Sequence, residues 1–459
     1  MRFEVGNEII VYEPTEDFMR WCDESLVLAN PEFEKKSRMG LWTGNTPRKL
    51  FLYERRGSEY AVPFGCFREL YRRYGSESSF KSRISPSERF SYQSNINLYP
   101  YQENAIQKLL EARNGILVMP CGSGKTMCGM EIIARLGLRT LWLTHTQDLL
   151  NQSLNCAKSV LSCDNSSYGT ITGGKVNIGS GITFATVQTM SKLDLSRYKD
   201  VWGCVVVDEA HHAVGTPTKA GQFYKVLSAL SCRYKFGLTA TPKRADGMQR
   251  AMTALLGDIV YEVSREDVAH TTCPVEVVTV ETGYFPNLDM ALSGDGTINY
   301  AGLVDDLIHD ERRTELVAAV VNSLDGSSMV LGNRIEYLKQ LQERFTGKSI
   351  CLSALGSSKS AKKQRKDALI ALNSGTIDCI FATYQLAAEG LNCPNLEYVV
   401  LATPEKDERI IMQSTGRVTR KSDGKTKGVV IDFEDCFGML CGWQKKRKRI
   451  YKKLGYDIK

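Results

Sequence analysis

The sequence predicts an α/β chain: two tandem domains built on parallel sheets, preceded by a small α+β domain. Two observations predict it. From Leu98 onward, helical patterns alternate with short apolar runs: GILVMP at 115–120, TLWLTH at 140–145, GITFAT at 181–186, CVVVDEA at 204–210 and YKFGLTAT at 234–241. Such runs read as strands buried on both faces. After an irregular stretch the alternation resumes, with SSMVLGN at 327–333, KSICLSA at 348–354, DCIFAT at 378–383, YVVLATP at 398–404 and KGVVIDF at 427–433. Strand–helix alternation implies crossovers that cover both faces of a sheet. The two series differ in their chemical residues and are not a repeat.

Length and composition agree with this reading. At roughly 100–200 residues per domain, 459 residues allow two to four domains. A chain with 42% hydrophobic and 24% charged residues is neither disordered nor fibrous. No apolar run reaches the roughly 18 residues that suggest a membrane span. The start, MRFEVGNEII, lacks a basic stretch followed by an apolar core, so no secretory signal is expected and the expected location is cytoplasmic. The 14 cysteines are scattered without a CxxC pair, and Cys204 and Cys379 sit inside apolar runs. Buried reduced thiols are expected, with neither zinc nor disulfides.

Taken in order, residues 1–95 read as the small α+β domain. EIIVY, KLFLYE and YAVP have the β-branched and aromatic content of strands, and FRELYRRYG reads as a helix ending at glycine. A polar stretch, GSESSFKSRISPSERFSYQSN, reads as a linker. Residues 96–265 form the first α/β domain and 266–442 the second, with a linker at about 266–300. Residues 443–459 read as a basic tail. They hold eight Lys/Arg and one Asp, so they carry the whole formal charge of +7. Residues 31–83 are also basic. Their Lys35, Lys36, Arg38, Arg48, Lys49, Arg55 and Arg56 are interleaved with Phe33, Trp42, Phe51 and Tyr53, a mixture suited to nucleic-acid contact.

The chemistry concentrates after two of the apolar runs. Behind GILVM comes PCGSGKT, residues 120–126. Cys121, Gly122, Ser123, Gly124, Lys125 and Thr126 form the core of a phosphate loop, in which glycines let backbone amides curl around phosphates and the next helix points its positive end at them. Lys125 would neutralise the phosphates and the Thr126 hydroxyl would ligate Mg²⁺. The second run, VVVDEAHH, delivers Asp208 and Glu209 from the end of a buried strand. Asp208 suits Mg²⁺, and Glu209 suits orienting or deprotonating an attacking water.

In this series the chain resembles the superfamily 2 helicases and translocases of the DEAH-lettered kind, from about Leu98 to Asp432. LYPYQENA is similar to the family's opening motif, which implies that Gln102 reads adenine. LTHTQDLLNQ, TGG and FATVQTM resemble its first nucleic-acid motifs, which implies phosphate contacts by Thr146, Gly173, Gly174 and Thr189. GLTATP supplies Thr239 and Thr241, and His211 follows the acidic pair; these are the coupling residues. MVLGNRIEYL, FATYQLAAEGLN and QSTGRVTR resemble the remaining motifs. They imply roles for Arg334 and Thr383 at nucleic acid, for Gly390 at the nucleotide site, and for Gln413, Arg417 and Arg420 in catalysis. The two arginines are the implied fingers for the γ-phosphate. PCGSGKT and the stretch following TATP resemble the XPB-type and phage UvsW-like branch. Arg244-Ala245-Asp246 sits where XPB-type proteins carry Arg-Glu-Asp, and Asn392 where the family commonly has Asp. The resemblance implies two RecA-like domains, ATP and Mg²⁺, and a nucleic-acid partner. That partner is DNA in preference to RNA, as forked or branched duplex. It implies no membrane and action as a monomer. An RNA helicase, and a remodelling module that separates no strands, are the alternative readings.

Overall fold

The computed structural model describes the chain except for residues 245, 295, 353–358, 389–392, 423 and 436, and the side chains of 359, 362 and 388. Two compact units emerge, dividing between Ser264 and Arg265, with Cys121–Ser123 grouped with the second.

In the first unit an eight-stranded sheet runs in the order Lys175–Asn177, Tyr168–Thr172, Ile182–Thr186, Thr140–Thr144, Cys204–Asp208, Tyr234–Thr239, Asn114–Val118, Ile259–Glu262. All neighbours are parallel except the Lys175–Asn177 edge strand. The five predicted apolar runs are five of these strands. Four of the five are buried at every residue, and Tyr234–Thr239 at all but its first. Continuous burial is why they read as unbroken apolar runs. The helix Lys125–Leu136 lies close on the sheet because residue 129 is glycine. A Cβ there would stand 2.6 Å from the Trp142 ring.

The second unit carries a seven-stranded sheet: Ser349–Leu352, Cys379–Thr383, Ser328–Gly332, Tyr398–Leu401, Gly428–Glu434, Val275–Glu281, Asp457–Ile458. Every pairing is parallel. The chain therefore contains two RecA-like parallel-sheet domains, with a small α+β domain ahead of them.

Several segments depart from the expectations. The stretch at 266–300, expected as a linker, contains Val275–Glu281, which pairs along its whole length with Gly428–Glu434. Only Val275 and Val277 of its VEVVTVE sequence are buried and the rest is partly or fully exposed, so it lacks the apolar continuity of the central strands. The polar segment after the first domain is not a free linker either. Ser79–Ser82 adds a parallel strand to Arg2–Val5, and Tyr92 is buried. The N-terminal domain is also not packed on itself alone. Its core of Phe3, Phe18, Trp21 and Tyr74 continues into Met248, Ala251 and Ala254. Gly65 makes that approach possible, since a Cβ there would meet the carbonyl oxygens of Thr253 and Ala254 at 2.4 and 2.5 Å.

The last departure is the basic tail. Residues 443–459 are not a separable appendage: Met439–Lys453 is a helix and Asp457–Ile458 closes the sheet edge. One helix face is buried through Arg447, Ile450 and Tyr451. Arg447 pairs with Asp432 at 2.9 Å, and the Tyr451 hydroxyl donates to the same carboxylate at 2.8 Å. Both charged side chains are almost fully buried. Breaking a buried pair costs about 3–5 kcal/mol, so Arg447→Ala is expected to lower urea-unfolding stability by that order. Loss of less than about 1 kcal/mol, the range of exposed pairs, would show the helix to be a loosely attached tail.

Candidate functional site

The residues of the phosphate-loop segment and of the acidic pair lie at or after the C-terminal ends of their strands in the eight-stranded sheet of the first unit. Tyr234–Thr239 lies between the phosphate-loop strand Asn114–Val118 and the acidic strand Cys204–Asp208. The TAT segment is thus wedged between the two halves of the site. Gly122 and Gly124 both take left-handed φ, +80° and +87°, which glycine alone adopts without strain. A Cβ on Gly124 would also stand 2.5 Å from Gln102 Nε2, so the Gln102 amide lies directly on the loop. Gln102 itself is buried near the start of the helix Pro100–Ala112, where its Oε1 accepts from Tyr99 N–H at 3.0 Å. Lys125 is the first residue of its helix, and its Nζ donates to the Met119 carbonyl at 3.5 Å.

Asp208 is 5% exposed. Burial, with the neighbouring Glu209 charge, pushes its carboxyl above the usual carboxylate range against the pull of Lys125. It accepts from the Glu209 N–H at 3.0 Å. The Asp208 carboxylate and the Thr126 hydroxyl, on the helix that follows the loop, offer only oxygen donors. Hard divalent cations of the Mg²⁺ type take such donors, and the residues present fit one. Glu209 has φ +50°, rare for a residue with a side chain. Its Oε2 lies 3.4 Å from His211 Nδ1, which in turn is 3.1 Å from Thr239 Oγ1. Thr239 Oγ1 accepts from the Thr241 N–H at 3.2 Å. His211 and the TAT segment are thus joined by hydrogen bonds, with the Glu209 carboxylate beside the His211 ring. Arg244 donates to the His211 carbonyl and pairs with Asp246.

The candidate nucleic-acid residues of this unit lie on the other half of the same sheet edge. Thr146 caps the helix Gln147–Val160, accepting from Leu149 N–H at 3.3 Å. Thr189 Oγ1 lies 3.1 Å from Thr186 Oγ1, which is 3.4 Å from Thr172 Oγ1. Gly173 and Gly174 make the turn after Thr172, both at positive φ and with open space where a Cβ would project. The structure thus gathers three threonine hydroxyls beside an exposed glycine turn.

In the second unit Gln413 lies on the helix Glu408–Thr415, and Arg417 on the following turn Gly416–Thr419, with Arg420 directly after it. Arg417 Nη2 donates to the Ala387 carbonyl at 2.7 Å. Burial, with the adjacent Arg417 charge, pushes Arg420 down to about 10. Thr383 accepts from Leu386 N–H at 3.3 Å at the end of Cys379–Thr383. Arg334, at the head of the helix Ile335–Glu343, is 3.6 Å from Asp305. Gly390 and Asn392 lie outside the described residues, as does Ala245.

The basic and aromatic residues of the N-terminal domain separate into two groups. Tyr53 stacks on Tyr60 and donates to Asp23 at 2.7 Å, and Arg56 pairs with Glu8 and Glu54. These are structural. Trp42 is 85% exposed, with Met39 at 60% and Leu41 at 53%. The loop carrying them is held by Lys36 Nζ donating to Thr46 Oγ1 at 2.8 Å and Asn30 Nδ2 to Pro47 O at 2.7 Å. The solvent-exposed Arg48 and Lys49 flank it.

Comparison with known proteins follows this geometry. Residues 95–244 match the family described as Type III restriction enzyme, res subunit, and residues 311–422 match the Helicase conserved C-terminal domain. The chain is similar to L396 of Acanthamoeba polyphaga mimivirus, provisionally named an ATP-dependent RNA helicase. Identity is 26%, over 79% of this chain and 69% of that protein. It is also similar to the DNA 3'-5' translocase XPB2 of Sulfurisphaera tokodaii, 25% identical over 72% of this chain and 80% of that one. Among solved structures, the Type ISP restriction-modification enzyme LlaBIII bound to DNA shares the fold. The TM-score is 0.54 at 16% identity, over 79% of this chain and 30% of that one.

Proposed function

The chain belongs to the superfamily 2 helicases, on the branch that holds the XPB-type enzymes, and from that premise we propose that it is an ATP-dependent DNA helicase or duplex DNA translocase. It would couple ATP hydrolysis to strand separation, annealing or branch migration in replication, recombination or repair. The observation that carries this reading is the division of one sheet edge. Lys125, Asp208 and Glu209 occupy one half, and the threonine and glycine turns the other.

In this reading Gly122, Ser123 and Gly124 cradle phosphate with backbone amides, and Lys125 neutralises it. Gln102, beside Gly124, reads adenine. Asp208 and Thr126 hold Mg²⁺, which when bound offsets charge on the phosphates. Glu209 orients or deprotonates water. Gln413, Arg417 and Arg420 serve catalysis, the arginines as fingers at the γ-phosphate. Thr146, Gly173, Gly174, Thr189, Arg334 and Thr383 contact backbone phosphates, which position the strand without reading its sequence. The Trp42 loop, with Arg48 and Lys49, supports a further contact to a forked or branched duplex. The name of the mimivirus relative favours RNA as the second reading.

The test is ATP turnover and strand separation on forks, four-way junctions, plain duplex, single strands and RNA. Stimulation by branched DNA above RNA supports the first reading, and the reverse order supports the second. Affinity is expected to fall with salt at a slope of about −0.9 per phosphate neutralised on duplex. A flat response would exclude backbone-phosphate contact as the mode of grip.

A further inference from the structure

Between the two halves of the sheet edge lies a stack of three imidazoles. His145 follows the strand Thr140–Thr144, and His212 lies just beyond the strand Cys204–Asp208; these strands are paired neighbours. The His145 and His212 ring centroids are 3.9 Å apart with planes 34° from parallel, and His212 and His211 are 4.2 Å apart at 40°. At such spacings the rings touch, with no room for water between them.

Each end of the stack reaches a different set of residues. On one side the His145 carbonyl accepts from Gln188 Nε2 at 2.5 Å. Gln188 directly precedes Thr189, and His145 directly precedes the helix cap Thr146. On the other side His211 lies against Glu209 and Thr239. The stack ends in a strained element. Glu209 is held at φ +50°, with its carbonyl accepting from His212 N–H at 3.0 Å. Such a conformation costs free energy and persists only when its surroundings hold it there. A shift of the turn at His145–Thr146 must displace the His212 ring, and with it the turn that fixes Glu209.

We infer that the His145–His212 ring contact is the coupling element between nucleic-acid binding and the set of Glu209, with His212 acting only on the nucleic-acid stimulation of turnover. The inference rests on the helicase reading, since it needs nucleic acid at one end of the stack and ATP at the other. Coupling here means that nucleic acid alters the balance between two settings of the Glu209 turn, and so the rate of turnover. The effect is assigned to the contact between the His145 and His212 rings.

The experiment measures ATP turnover of the full chain with and without saturating forked DNA, and DNA affinity by fluorescence anisotropy. The proteins are wild type, His212→Ala, His212→Phe, His145→Ala and the double alanine variant. Ordinary coupling between sites spans about 5–150-fold, and the stimulation factor of His212→Ala is expected to fall by an amount in that range. Its unstimulated turnover and DNA affinity are expected to stay as in wild type. His212→Phe, which keeps a stacking ring, is expected to retain most of the stimulation. The double variant should be no worse than either single one, because both interrupt the same contact. Undiminished stimulation in His212→Ala overturns the inference. So does a parallel fall of stimulated and unstimulated rates, or a His212→Phe variant as impaired as His212→Ala. A wild-type chain whose turnover no nucleic acid raises would instead remove the helicase reading, and the inference with it.

Discussion

Glu209→Gln is expected to bind ATP with near wild-type affinity and to lose nucleic-acid-stimulated turnover by about 10²–10⁴-fold, the contribution of a positioned general base. The argument is geometric. Glu209 directly follows Asp208 at the end of the strand Cys204–Asp208, and its carboxylate lies 3.4 Å from His211 Nδ1. Glutamine keeps the size and the hydrogen-bonding reach but does not accept a proton. Single-turnover hydrolysis, alongside binding of a fluorescent ATP analogue, separates the two effects. A variant that hydrolyses within a few-fold of wild type would assign the base elsewhere. Loss of analogue binding would place Glu209 in nucleotide affinity rather than in the chemical step.

Arg417→Ala and Arg420→Ala are each expected to lower stimulated turnover by about 10³–10⁵-fold, the range for arginine fingers in phosphoryl transfer, while ATP still binds. The two sit in different surroundings. Arg417 is tethered to the Ala387 carbonyl. Arg420 is mostly buried beside it and is pushed down to about 10. The Arg417 charge disfavours that of Arg420, and a bound anion would relieve the repulsion. Lysine substitution keeps the charge and loses the planar fork, so Arg→Lys at both sites should also be deficient. Near-normal turnover in both alanine variants would remove the finger assignment, and loss at one alone would identify the finger.

Some of this was legible in the sequence because it is local. The phosphate loop is a strand, a glycine turn and a helix start within a dozen residues, and its chemistry follows from residue type and spacing. The same holds for the acidic pair at the end of a buried apolar strand. The segments that departed from expectation share a different cause. Val275–Glu281 is a strand because Gly428–Glu434 lies beside it, and its VEVVTVE pattern looked irregular without that neighbour. In the last seventeen residues the charge count masked one buried face, where Arg447 and Tyr451 converge on Asp432. Trp42 and Tyr53 looked equivalent in composition, yet one is exposed and the other is stacked on Tyr60.

The sequence by itself determined where the proposed chemistry lies, because a glycine turn between strand and helix, and an acidic pair ending a buried strand, are short stretches whose backbone geometry their own residues dictate. It also determined that two parallel sheets would form, since strands buried on both faces must be apolar throughout. Only the tertiary structure decided which strand lies beside which. That order wedges the TAT segment between the phosphate loop and the acidic pair, and sets His145 against His212 from distant parts of the chain. Strand order is settled by packing helices over both faces of the sheet, a non-local balance of burial that no single segment records.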